Sequence, residues 1–118
     1  MTDNVTIYFN PNCSKCRSSL ELLKKQGQRA RVIEYLDTPP DAATLESILA
    51  MLGLEPRDLM RKHEKEYAGA GLENPELERA ELIAAMIKYP RLIERPIVIK
   101  DGKAIIGRPP EKILAILK

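Results

Sequence analysis

The stretch Val5-Thr6-Ile7-Tyr8-Phe9-Asn10-Pro11-Asn12-Cys13-Ser14-Lys15-Cys16 decides how this chain folds. Its first five residues are β-branched or aromatic and stop at Asn10-Pro11-Asn12, the pattern of a strand running into a turn. From Ser14 to about Gln26 the apolar positions Cys16, Leu20 and Leu23 fall four and three residues apart, which places them on one helical face. Gly27 supplies the usual helix stop. Arg31-Val32-Ile33-Glu34-Tyr35-Leu36 then reads as a second strand. A strand, a crossover helix and a strand form a βαβ unit, whose two strands are expected to be parallel.

Beyond it, Thr38-Pro39-Pro40-Asp41 breaks the chain before a helix carrying Leu45, Ile48, Leu49 and Leu52 and closed by Gly53. A short helical piece containing Leu59 and Met60 follows Pro56. Glu64 to Asn74 is charged and contains Gly69-Ala70-Gly71, so an irregular, partly mobile connection is expected there. Pro75 suits the first turn of a helix with Leu77, Ala80, Ile83, Ala84 and Ile87 on its buried face, and Pro90 marks its exit. Ile97-Val98-Ile99 and Ala104-Ile105-Ile106 flank Lys100-Asp101-Gly102-Lys103, and Asp-Gly between apolar runs signals a hairpin. A final helix is expected from Pro109 to Leu117, with Ile113, Leu114, Ile116 and Leu117 in the core. This order predicts an α/β, thioredoxin-like (glutaredoxin-like) mixed sheet. The helical insertion, about residues 40–90, separates the βαβ and ββα halves of a single domain spanning 1–118.

Composition narrows the function. The chain has 118 residues, 44% of them hydrophobic and 31% charged, enough for one core and too ordered a mixture for long disorder. A net charge of +2, with 4 Tyr, 1 Phe and no Trp, predicts neither a nucleic-acid footprint nor a base-stacking platform. No apolar run approaches the ~20 residues of a membrane-spanning helix. Met1-Thr2-Asp3-Asn4 lacks the basic and apolar regions of a signal peptide. A soluble, cytoplasmic monomer with no membrane partner is expected. Two cysteines cannot make a disulfide scaffold, so in a reducing compartment a close pair reads as redox chemistry or metal binding.

Cys13-Ser14-Lys15-Cys16 sits between a strand end and a helix start. Orphan N–H groups and the positive end of the helix dipole stabilise a thiolate at Cys13, and Lys15 and Arg17 add positive charge nearby. Such surroundings bring a cysteine pKa down from about 8.5 to roughly 3.5–7.5, which marks Cys13 as the nucleophile. Cys16 lies one turn further, on the inward face. A zinc site needs two more ligands, but His63 is the only histidine and there is no third cysteine, so no metal is expected. His63 itself reads as an exposed polar residue, and Glu64-Lys65-Glu66 as a solvated charge run.

Four blocks resemble the ArsC family, the glutaredoxin-linked arsenate reductases: Asn10-Pro11-Asn12-Cys13, Leu59-Met60-Arg61-Lys62, Ile93-Glu94-Arg95-Pro96-Ile97-Val98 and Gly107-Arg108-Pro109-Pro110-Glu111. The resemblance implies that Cys13 attacks the oxyanion and that Arg61, Arg95 and Arg108 surround it. Asn12 and Ser14 are candidate substrate contacts beside the nucleophile. Planar guanidinium forks match the oxygens of a tetrahedral anion, and fixed positive charge offsets repulsion between a thiolate and that anion. The family mechanism further implies reduction of the thiol–arsenate adduct by glutathione and glutaredoxin, with no bound cofactor. Thioredoxin-like folds also place a cis-proline beside the reactive thiol, which is expected here at Arg95–Pro96.

Two departures bear on that mechanism. Phe9 stands where family members often carry His, leaving the helix start and the arginines to tune the thiol. Cys16 stands where many have Ser or Thr, which makes it a candidate resolving thiol. Cys16 also suits an Spx-like redox-sensing regulator whose partner is RNA polymerase, whereas Gly107-Arg108-Pro109 does not follow that pattern. A general thiol–disulfide oxidoreductase is a third reading, but it has no need of three arginines.

Overall fold

The computed structural model describes residues 5–117; the expectation made for Met1-Thr2-Asp3-Asn4 lies outside them. The chain forms two compact units, one running up to Thr38 and resuming at Arg95, the other spanning Pro39–Glu94.

The first unit is built on β1 (Val5–Phe9), α1 (Ser14–Lys25), β2 (Ala30–Glu34), β3 (Ile97–Lys100) and β4 (Lys103–Ile106). The four strands are ordered β2-β1-β3-β4. β1 pairs in parallel with β2 and antiparallel with β3, and β3 pairs antiparallel with β4. This is the mixed sheet expected from a βαβ half followed by a hairpin. The hairpin turns through Asp101 and Gly102, both with positive φ (51° and 77°), the conformation for which Asp-Gly is suited. β1 is an inner strand, and Val5, Ile7, Tyr8 and Phe9 are all buried. The core joins Val5, Ile7 and Phe9 to Cys13, Cys16 and Leu23 of the cysteine turn and α1, to Val98 of β3, and to Ile113.

Three features of this unit differ from expectation. β2 ends at Glu34 rather than Leu36, because its ladder partner β1 ends at Phe9, opposite Glu34, where the Asn10-Pro11 turn begins. The segment after Pro109 is a 3₁₀ helix, Pro110–Ile116, rather than an α-helix. Its bonds span three residues, from the N–H of Lys112 to the Pro109 carbonyl and from that of Leu117 to Leu114. Only Ile113 is fully buried; Leu114, Ile116 and Leu117 are half-buried. On α1 the buried set is Cys16, Ser19 and Leu23, so a serine shares the inward face with the expected residues, and Leu20 packs at its edge.

The serine has a packing reason. A Cβ placed on Gly107 would stand 2.6 Å from Ser19 Oγ, 3.0 Å from Pro96 Cγ and 3.3 Å from Ile113 Cγ2. Gly107 also donates its N–H to the Pro96 carbonyl at 2.9 Å, which holds its backbone in that crevice. Helix, proline loop and 3₁₀ segment therefore close on a residue without a side chain.

The second unit contains α2 (Ala42–Leu52), α3 (Lys65–Gly69) and α4 (Arg79–Lys88), with 3₁₀ turns at Pro56–Leu59 and Pro90–Leu92. Asp41 caps α2 by accepting the Thr44 N–H at 2.8 Å, and Gly53 ends it at φ 70°. The region expected to be irregular, Glu64 to Asn74, instead holds α3 and buries Tyr67 and Leu72, two apolar anchors that its charged neighbours mask in the sequence. α4 starts at Arg79, not Pro75, through reciprocal capping by Glu78 and Glu81. It buries Leu82, Ile83 and Met86; of the expected face, Ala80 and Ala84 are exposed, and Leu77 and Ile87 are half-buried. The larger side chains offer more apolar area than alanine, and the helix turns to bury them. No helix among the described residues is long and apolar enough to cross a membrane.

Gly107→Ala should destabilise the fold by about 1–3 kcal/mol, the usual cost of overpacking. Adding Ser19→Ala should recover part of that loss, because Ser19 Oγ is the nearest atom to the new methyl group. Urea unfolding of the three chains checks both; equal midpoints for Gly107→Ala and the parent would contradict the close packing.

Candidate functional site

The site begins with the turn between β1 and α1. The Cys13 N–H donates to the Asn10 carbonyl at 3.0 Å, and the Asn12 N–H donates to Asn10 Oδ1 at 2.9 Å. Asn10 thus folds the turn on itself. Cys13 is the N-cap of α1, with extended φ −104° and ψ 120°, and its carbonyl accepts the Arg17 N–H at 3.1 Å. An N-cap side chain normally offers an oxygen to the orphan N–H groups of the first turn. Here the N-cap residue carries sulfur and makes no side-chain cap hydrogen bond, and α1 has no acidic residue in its first turn.

Burial is the largest influence on the Cys13 thiol and pushes its pKa up. It is outweighed by the backbone N–H of Cys16, the Cys16 thiol, the Arg95 charge and the backbone N–H of Lys15, so the net shift is downward. The first-turn effect expected from the sequence is present, but its charge comes from Arg95 rather than from Lys15 or Arg17. Lys15 acts through its backbone, and the Arg17 guanidinium turns to donate to the Pro11 carbonyl at 2.8 Å.

Arg108 completes the group. Its Nη2 lies 3.7 Å from Cys13 Sγ, and its Nε donates to the Arg95 carbonyl at 2.7 Å. Arg95 therefore serves twice, by its charge and by its backbone oxygen, which orients the second guanidinium. The Arg95–Pro96 bond is cis, as expected, and so is Arg108–Pro109, which the sequence reading did not anticipate. Cys13, Arg95 and Arg108 are thus brought together from residues far apart in the chain.

Cys16 is completely buried. Burial is the main reason its pKa rises to about 12; a backbone contact at Asn10 lowers it, the hydrogen bond to Cys13 and the Cys13 charge raise it further, and Arg95 lowers it. Neither cysteine is in a disulfide. Asn12 and Ser14 lie exposed on either side of Cys13. Phe9 packs in the core, so an apolar ring fills the position immediately before the turn. A groove of about 630 Å³ runs beside the turn, along Ser14, Lys15, Arg17 and Glu21 of α1 and past Pro109 and Pro110; Cys13 does not line it.

Arg61 belongs to the second unit and is held by carboxylates there. Its Nη1 donates to Glu64 Oε2, its Nε lies 3.8 Å from Glu94 Oε1, and its Nη2 is 3.0 Å from His63 Nε2. Its backbone N–H donates to the Leu92 carbonyl at 2.7 Å. Glu64 also accepts from Arg91 at 3.3 Å, so the expected solvated charge run contains a carboxylate only 11% exposed that bridges two arginines. Spacing could have pointed to the Arg61–Glu64 pair, three residues apart; nothing in the local pattern marks Glu94 or Arg91. His63 is 70% exposed, as expected. Among the described residues no cluster of three or more His, Cys, Asp or Glu could hold a metal.

A family model described as the ArsC family matches residues 8–116, a span that runs through both units. The chain is 50% identical over 118 residues to a protein of Escherichia coli K12 named "Uncharacterized protein YfgD", covering 99% of each chain. It is 46% identical over 114 residues to an arsenate reductase of Neisseria meningitidis, covering 96% of this chain and 97% of the other. Among solved structures, an arsenate reductase from Vibrio cholerae superimposes with a TM-score of 0.93 at 47% identity, over 96% of this chain and 97% of that one.

A small neutral alkylating reagent should modify one thiol, Cys13, with a pH midpoint below the ~8.5 of a free cysteine. Arg95→Met should move that midpoint upward, because a lowered thiol pKa rises when a neighbouring positive charge is removed. Cys16 should stay unmodified in the folded protein. Rate against pH, with mass mapping of the product, checks all three, and an ordinary midpoint would remove the helix-start argument.

Proposed function

This chain belongs to the ArsC family, and we propose that it is an arsenate reductase in which the Cys13 thiolate attacks the arsenic of an arsenate oxyanion and displaces water. The observation that carries the reading is the Arg108 guanidinium 3.7 Å from the Cys13 sulfur, at a helix start where the Arg95 charge also acts. A thiolate meeting an anion needs positive charge that is already in place before the anion arrives, and a guanidinium anchored to a backbone carbonyl supplies it without reorganisation. Relatives at 46% and 47% identity over nearly their whole length are named arsenate reductases, which supports arsenate over other tetrahedral anions.

In this reading Arg95 and Arg108 bind the oxyanion, with Asn12 and Ser14 of the turn as neighbouring contacts. Arg61, which the family resemblance assigns to the same anion, is subject to the same test by substitution. The electrons come from glutathione, with glutaredoxin as the protein donor, and no bound cofactor or metal is required. Catalysis needs only one chain, because Cys13, Arg95 and Arg108 all come from it. It needs both cysteines reduced, which suits the cytoplasm.

Steady-state arsenate turnover with glutathione and glutaredoxin, and with thioredoxin in comparison, tests the reading. Cys13→Ser should abolish turnover, since a hydroxyl without an activating base stays protonated. Arg95→Leu and Arg108→Leu should each lower it by roughly tenfold to a hundredfold, the effect of losing about 1.5–3 kcal/mol of charge-assisted contact. Sulfate or phosphate should inhibit competitively. Parental kinetics in Arg61, Arg95 and Arg108 variants alike would overturn the reading and favour the Spx-like regulator.

A further inference from the structure

We propose that Cys16 is the resolving thiol of this protein: once Cys13 carries an electrophilic sulfur, Cys16 attacks that sulfur, expels the group bound to it and closes an intrachain disulfide. This rests on the arsenate reading above and names the thiol that completes its first half. It assigns glutathione and glutaredoxin to reduction of the Cys13–Cys16 disulfide rather than to attack on the adduct.

Cys13 is the N-cap of α1 and Cys16 the third residue of its first turn, positions whose side chains approach one another. Their thiols are in hydrogen-bond contact, and both belong to the same core cluster. A disulfide needs Cβ atoms about 3.5–4.5 Å apart, a small adjustment from the ~5–6 Å typical of residues three apart on a helix. Cys16 is 0% exposed, so no dissolved reagent reaches it, while Cys13 lies within its reach. A nucleophile held against its target has an effective concentration that free thiols do not match.

A thiol at about pKa 12 is inert beside a Cys13 thiolate, and two of the three influences that raise it come from Cys13 itself, the hydrogen bond and the charge. When Cys13 bonds to arsenic, negative charge leaves the sulfur for the arsenate oxygens, and the Arg95 charge that favours a Cys16 thiolate remains. The resting pair does not react; the adduct makes its own resolver more acidic. Ser or Thr at this position could donate the same hydrogen bond to Cys13 but could not form the disulfide.

The step balances. Arsenate and the Cys13 thiol form a sulfur–arsenic bond and release one water. Cys16 sulfur then bonds to Cys13 sulfur, and the sulfur–arsenic pair of electrons stays on arsenic, which falls from As(V) to As(III). The Cys16 proton leaves on an arsenite oxygen. Two thiols are oxidised to one disulfide per arsenic reduced. With hydrogen peroxide as oxidant instead, Cys13 becomes a sulfenic acid and Cys16 displaces water from it.

The test is a single turnover of the reduced full-length chain with arsenate and no external thiol. Stoichiometric arsenite should appear, the intact mass should fall by two hydrogens, and peptide mapping should find Cys13 joined to Cys16. Cys16→Ser and Cys16→Ala should release none until glutathione is added, and the recovery should rise with its concentration. Arsenite release from both variants without added thiol, or a parent chain that turns over with glutathione and glutaredoxin yet forms no disulfide alone, would overturn the proposal. If the parent fails with every reductant, the arsenate reading fails, and peroxide decides the role of Cys16. A Cys13–Cys16 disulfide in the parent, with sulfinic acid at Cys13 in both variants, supports it. Sulfinic acid at Cys13 in the parent overturns it.

Discussion

Everything at the site depends on a sulfur atom standing where a helix expects an oxygen cap. The first turn of α1 has N–H groups without helical partners, and the Cys13 sulfur stands at the N-cap under the influence of those of Lys15 and Cys16, without a side-chain cap hydrogen bond. Those N–H groups favour the thiolate, so the thiol becomes more acidic despite being buried. The Asn10 turn holds the sulfur at this point, and the sheet holds Asn10, since β1 pairs on both sides up to Tyr8 and with β2 as far as Phe9. Moving the strand end by one residue would carry the sulfur off the helix axis.

The second half of the first unit brings charge to that point by way of its backbone. Arg95 precedes β3 and Arg108 follows β4, so the hairpin delivers both ends of the ββ pair to the cysteine turn. One carbonyl then orients the other guanidinium, at 2.7 Å. Gly107 makes that arrangement possible from below, because a side chain there would meet Ser19, Pro96 and Ile113 together. The glycine beside Arg108 is thus a packing residue whose effect is to let the arginine-bearing loop lie close against α1.

In the second unit electrostatics work differently. Arg61 is surrounded by Glu64, Glu94 and His63, and Glu64 is shared with Arg91. Such a guanidinium is ordered in advance, but its charge is partly balanced. Arg108, by contrast, donates its Nε to a neutral carbonyl and reaches the Cys13 sulfur with Nη2. The ion pairs that hold Arg61 are expected to weaken as ionic strength rises.

The sequence by itself determined the βαβ start, the parallel first pair, the Asp-Gly hairpin and the place of Cys13 at a helix start. Each depends on neighbours within a few residues, where alternation, helical spacing and turn chemistry act directly. Tertiary structure decided the rest. Strand β2 stops at Glu34 because its partner stops, although Tyr35 and Leu36 continue the apolar pattern. α3 forms because Tyr67 and Leu72 find a core, and α4 turns Leu82 and Met86 inward in place of two alanines. The charge that acts on Cys13 belongs to Arg95, 82 residues away (95 − 13), rather than to the adjacent Lys15 and Arg17. Local periodicity can say which residues seek burial or charge; only the closed chain says which partner is within reach, because Coulomb and packing forces depend on distance in space.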